Sequence, residues 1–277
     1  MPRRRFIAPT REQVDRKRFD MPPFASFDSK NFWFTDDAWP NVEVLTNALD
    51  GKMHPVSGAR LAFVEQTSTL LQDGLHYEER IFERGQIATR PQNWHDLFNA
   101  VVWLRFMELK TSLNTAQMQD IVRVGGKIRT RRQSALTQFD EAGVIVTLRD
   151  SNLLPLWDAH DWRGLFFREA QAWRDGRIHA EIFGHALLEH ALWPDIFLVG
   201  KAAVIVGDTK QPSQILAEAI VNGHALNDPQ TLRPLPLSGI PGWHPQTETA
   251  SFYLKAPCFQ PLRAGRQYPP AIRWPSA

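Results

Sequence analysis

The spacing of apolar residues changes along the chain, and each change marks an element. Trp94, Leu97, Phe98, Val101 and Leu104 recur at three- and four-residue intervals behind Asn93. That period predicts a helix with one buried stripe, capped by the Asn93 side chain. Similar patterns predict helices over 109–122, stopped by Gly125-Gly126, and over 134–143, ending on Gly143. Further helices follow over 161–173, 181–192 and 214–221. Residues 60–66 and 144–148 read as short strands, and 202–206 fits a buried strand or a buried helix equally well. Residues 76–89 read as extended, with Arg84-Gly85 as a turn, which predicts a short β-hairpin.

The pattern fades at both ends. Residues 1–25 are polar, basic and proline-punctuated, and are expected to form a mobile arm ahead of one globular domain over 26–277. Ten of the twenty prolines fall after residue 228. Proline fixes φ and removes a backbone donor, so 228–277 cannot hold regular structure for long. Trp243, Phe252, Tyr253, Phe259 and Trp274 make that segment too apolar for a free linker, so an ordered irregular strap packed on the domain is expected. The fold class is α+β, mainly helical, with a small sheet.

Composition narrows the function classes. A hydrophobic content of 43% with 22% charged residues excludes a disordered chain, and a single cysteine excludes a disulfide framework or a cysteine-rich metal site. With no apolar run of membrane-span length and no apolar leader, a cytoplasmic protein is expected. The net charge of +2 conceals an asymmetry. Residues 1–19 carry seven basic and two acidic side chains, a net of +5, which leaves 25 basic and 28 acidic residues, a net of −3, for the rest. A second basic cluster, Arg123, Lys127, Arg129, Arg131 and Arg132, contains no acid. Arm and cluster together are the candidate surface for phosphates or nucleic acid.

Two polar constellations could carry chemistry. In the first, His76 and Glu79 precede His95 and Asn99, which stand four apart and project from one face of a helix. In the second, Glu181, His185 and Glu189 stand four apart on the helix expected over 181–192, presenting carboxylate, imidazole and carboxylate in one stripe. Such a stripe can ligate a divalent metal if another element supplies the remaining donors. No phosphate-cradling glycine loop, dinucleotide fingerprint or serine-hydrolase elbow is present, so no nucleotide cofactor is expected.

The run Thr-Arg-Pro-Gln-Asn-Trp-His-Asp-Leu-Phe-Asn over 89–99, followed by Val102-Trp103, resembles a bacterial family catalogued as domain of unknown function 3025. So do Phe139-Asp-Glu-Ala-Gly-Val, the stretch from Phe183 to Glu189, and Gly239-Ile-Pro-Gly-Trp. The resemblance spans about residues 30–265 and implies a bacterial single-domain protein with no activity to carry over. The residues themselves point to a metal-assisted hydrolase of a small molecule, with His76, Glu79, His95 and Asn99 in catalysis and Glu181, His185 and Glu189 on a divalent ion. The alternatives are a nucleic-acid-associated protein using the two basic segments, or a non-catalytic assembly protein.

Overall fold

A computed structural model describes residues 6–274. Along the chain run α1 (Asn31–Thr35), α2 (Val42–Asn47), β1 (Ala62–Glu65), α3 (Tyr77–Arg84), β2 (Gln86–Thr89), α4 (Trp94–Arg105), α5 (Met107–Val124) and α6 (Arg131–Ala142). Then come β3 (Gly143–Leu148), α7 (Leu154–Asp158), a π-helical turn (Arg163–Arg168), α8 (Ala170–Arg174), β4 (Ile178–Ile182), α9 (His185–Ala191) and β5 (Val199–Val206). The chain closes with α10 (Pro212–Val221), β6 (Arg233–Pro236), α11 (Phe252–Lys255) and β7 (Ile272–Arg273). The class is α+β and mainly helical.

The larger sheet runs β4-β3-β5-β6, with β7 also paired to β5. β3 is parallel to β5 and antiparallel to β4, and every residue of β3 is buried. A strand covered on both faces needs no polar alternation, which is why Val144-Ile-Val-Thr-Leu reads as a continuous run. The open choice at 202–206 resolves as strand β5, whose partner is that same run. α5 packs on α6 and α10, and α9 packs on α4 and α6, so the long helices gather beside the sheet.

The segment expected as a hairpin is instead helix α3 followed by β2, and β2 pairs in parallel with β1. Three features favour the helix. The Glu79 carboxylate accepts from the His76 backbone N–H at 3.0 Å, Glu78 and Glu79 complement the dipole of the first turn, and Gly85 ends the helix at φ 67°. Gly85 is required there for a second reason, because a Cβ at that position would lie 2.0 Å from the Arg60 carbonyl oxygen.

Over its described part, the segment read as an arm packs against the domain. Val14, Phe19 and Phe24 are buried in the same core as the helices and strands, and Phe19 packs against Phe34 and Trp94. Arg11 lies over the Trp39 and Trp94 rings, and Arg18 donates to the Ala191 carbonyl. Burial of these aromatic rings outweighs the solvation of the basic groups between them. Arg3, Arg4 and Arg5 lie outside the described residues.

The proline-rich end forms the expected irregular strap. Trp157 and Trp162 donate their indole N–H groups to the Pro234 and Gln260 carbonyls, each at 2.7 Å. The fully buried Arg233 binds both oxygens of Asp158 and reaches the Pro269 carbonyl. Among the described residues, no helix is long and apolar enough to cross a membrane.

Candidate functional site

Two chain junctions interlock to build the site. The α6–β3 junction contributes Glu141, Ala142 and Gly143, and the β4–α9 junction contributes Phe183, Gly184 and His185. The backbone N–H groups of Phe183 and Gly184 both donate to the Gly143 carbonyl, at 3.0 and 2.8 Å. A Cβ on Gly184 would stand 2.5 Å from the Ala142 Cα and the Gly143 nitrogen. Only glycine permits this approach, and the approach sets His185 beside Glu141. The stacked rings of Phe139 and Phe183 support the same contact from below, with centroids 5.0 Å apart.

α4 brings the third group. Asn93 caps the helix by accepting from the Asp96 N–H at 3.1 Å, as its position suggests. Asp96 does not complete a capping box; its carboxylate binds the Arg90 guanidinium at 2.8 and 3.0 Å and the Arg90 backbone N–H. This clamp fixes the first turn of α4, and His95 projects from that turn toward α9. The Nε2 atoms of His95 and His185 face each other at 3.0 Å. Glu141 Oε2 lies 3.6 Å from His185 Nε2 and 3.9 Å from His95 Nε2. On the far side of the His95 ring, Nδ1 lies 3.0 Å from Glu189 Oε2.

The three donors line a cavity of about 310 Å³ that extends between α3, α4, α5 and α6. Its wall includes Lys110, a lysine only 4% exposed, which donates to Asp140 Oδ1 at 2.6 Å and to Asn99 Oδ1 at 2.9 Å. Asn99 in turn donates to the Tyr77 hydroxyl at 2.9 Å. At the other end, Asn114 Nδ2 donates to Glu78 Oε2 at 2.6 Å.

The electrostatics divide the two imidazoles. Burial opposes charge on His95, but the hydrogen bond to Glu189 and the field of Glu141 outweigh it and raise its pKa. Burial dominates at His185 and, despite the field of Asp140, lowers its pKa to about 3. His185 Nδ1 is buried without a hydrogen-bond partner and points toward Asp140 Oδ2, 3.9 Å away. Burial raises the pKa of Glu141. Asp140 is held below the ordinary carboxylate range because Lys110 and the imidazoles overcome its burial.

The structure thus brings together His95, Asn99, His185 and Glu189 from the residues singled out in the sequence, and separates the others. His76 and Glu79 form the N-terminal cap of α3 and do not line the cavity. Glu181 lies on strand β4, not on a helix with His185, and faces Arg105 and His179 at 3.9 and 3.6 Å. The stripe of three breaks because Gly184 starts the helix only at His185; Glu189 remains one turn beyond but supports His95 from its outer side. In the basic cluster, Arg123 binds Asp120, Arg131 binds Asp228, and Arg132 binds Gln119 and the Ile220 carbonyl. Lys127 and Arg129 lie exposed in the α5–α6 loop. Three of the five residues therefore make intramolecular contacts, with Arg123 and Arg131 still largely exposed.

Sequence reading missed Glu141, Asp140, Lys110 and Glu78. For the first two a signal existed. Two adjacent carboxylates close helix α6, where the macrodipole disfavours anions, so another partner must hold them there.

A search of the curated proteins and of the solved structures finds no match to this chain. A family model described as protein of unknown function (DUF3025) matches residues 61–263, which include every residue of the cavity wall and of the His–carboxylate cluster. The match covers most of the chain, which therefore belongs to the DUF3025 family.

Proposed function

We propose that this protein is a divalent-metal-dependent hydrolase of small polar molecules, with His95, His185 and Glu141 as the metal ligands. The observation that carries this reading is the triangle of donor atoms with edges of 3.0, 3.6 and 3.9 Å on three separate helices. Two imidazole nitrogens on one zinc ion, each about 2.0–2.1 Å from it, stand about 3.3 Å apart. The Nε2 pair is already at nearly that spacing, and a small closure of the Glu141 side chain completes three ligands on one face. The other face opens to the cavity, leaving a coordination position for water.

Glu189 suits a supporting role. A carboxylate on the outer nitrogen of a ligating histidine fixes its tautomer and orientation and raises its basicity. A bound divalent ion would lower the pKa of its water to about 7 and so supply hydroxide near neutral pH. In hydrolysis the hydroxyl goes to the electrophilic carbon or phosphorus, the bond to the leaving group breaks, and the leaving group takes the remaining proton. Lys110, with Asn99, is placed on the cavity wall where a substrate oxygen that gains charge could be stabilised.

The nucleic-acid alternative has less support, because Arg123, Arg131 and Arg132 are bound to other groups within the chain. Metal analysis of the purified protein tests the proposal, followed by turnover of a panel of esters, amides and phosphoesters before and after chelation. One ion per chain, lost in His185→Ala, with chelator-sensitive turnover is the expected result. Glu189→Gln should keep the fold and weaken metal binding by roughly 10–100-fold. A metal-free protein that takes up no divalent ion on titration would refute the proposal.

A further inference from the structure

We propose that Glu78 binds a primary ammonium group of the substrate, so that the cavity selects small amine-bearing molecules. This rests on the cavity being the substrate site proposed above.

The charges lining the cavity carry the inference. Four acidic side chains line it: Glu78, Asp96, Asp140 and Glu141. Asp96 is bound by Arg90, Asp140 by Lys110, and Glu141 faces the two imidazoles. Both basic groups of the wall thereby have carboxylate partners, and Lys110 also holds Asn99. Glu78 is left. Among the described residues its carboxylate has no ion-pair partner, and its one side-chain hydrogen bond comes from the neutral Asn114 amide to Oε2.

Glu78 stands in the first turn of α3, and Asn114 on α5 holds both its carboxylate and its backbone carbonyl, the latter at 2.9 Å. The side chain is therefore fixed, with part of its surface open to the cavity. An unpaired carboxyl on a largely enclosed wall is costly in its charged form, and an incoming cation that also donates hydrogen bonds removes that cost. Burial and the neighbouring Asp140 raise the pKa of Glu78, against the Asn114 hydrogen bond and the field of Lys110. A cavity of about 310 Å³ is at the lower end of the roughly 300–1,000 Å³ seen for ligand pockets, which limits the occupant to a small molecule.

The test uses n-butylammonium and the isosteric n-butanol as probes, with ligand-observed NMR on metal-free protein at neutral pH. Amine coordination to an ion cannot then contribute. The ammonium should bind at least ten-fold more tightly than the alcohol. Glu78→Gln should abolish the difference, and Glu78→Asp, which keeps the charge, should retain part of it. Thermal melts of both variants establish that they fold. Equal binding of the two probes, or a preference unchanged in Glu78→Gln, would overturn the inference. A protein that takes up no divalent ion on titration yet prefers the ammonium would sink the hydrolase reading alone. A metal-loaded protein that hydrolyses charged and uncharged amides at equal rates would sink the ammonium site alone.

Discussion

Replacing Lys110 by methionine should destabilise the protein by about 3 kcal/mol, the lower end of the roughly 3–5 kcal/mol found when one member of a buried ion pair is removed. Methionine keeps the length and most of the volume, so the loss is electrostatic rather than a packing defect. Lys110 is 4% exposed, and its amine is the close cationic partner of Asp140 Oδ1. Without it, Asp140 stands next to Glu141 and within the field of Glu78, with no lysine to balance them. The Asp140 side chain retains 22% exposure, so some solvation remains and places the cost at the lower end of the range. At about 2–4 °C per kcal/mol for a chain of this size, the Tm should fall by roughly 6–12 °C. Urea midpoints for the wild type, Lys110→Met, Asp140→Asn and the double variant close a thermodynamic cycle. The double variant should recover at least about 1 kcal/mol relative to the sum of the single losses, the coupling expected of groups in direct contact. A loss for Lys110→Met under about 1 kcal/mol, or strict additivity, would refute the view that the pair holds the cavity wall.

Three further outcomes follow from other parts of the molecule. Gly184→Ala should lower stability and weaken metal uptake together, because its Cβ would push α9 from the α6–β3 junction; a titration and a melt unchanged from wild type would contradict the interlock. Phe19→Ala should cost about 3–5 kcal/mol, the usual loss for a buried phenylalanine, against near zero for a free arm, as read from urea unfolding. Burial opposes the charge on Asp120, but the Thr130 hydroxyl and Arg123 overcome it and lower its pKa. Its stabilisation is therefore present above the ordinary carboxylate value of about 3.9 and is lost as pH falls through the depressed one, so Asp120→Asn should flatten the acid limb of the stability curve.

The elements read most reliably from the sequence are those whose burial shows in a period. The α4 stripe from Trp94 to Leu104 and the unbroken β3 run identify themselves, as does the stop at Gly125. α3 escaped because Tyr-Glu-Glu-Arg-Ile-Phe-Glu-Arg has too few apolar positions to show a helical period, and its evidence lies in capping and charge. The arm escaped because its buried residues, Val14, Phe19 and Phe24, are separated by basic groups that reach solvent or carbonyls. For the site, His95 and Asn99 share a helix face that the sequence displays, and His185 and Glu189 share another. Which faces meet is a matter of tertiary structure. Glu141 joins them only through the glycine contact between two junctions more than forty residues apart, and no local spacing encodes that.

The central claim is that the facing imidazoles of His95 and His185 share an ion with Glu141. Crystals grown with zinc and measured at its absorption edge test this most directly. The account predicts one strong anomalous peak about 2.0–2.2 Å from both Nε2 atoms and from a Glu141 oxygen. Crystals saturated with zinc that show no peak there, with the two rings still joined by a direct hydrogen bond, would contradict it.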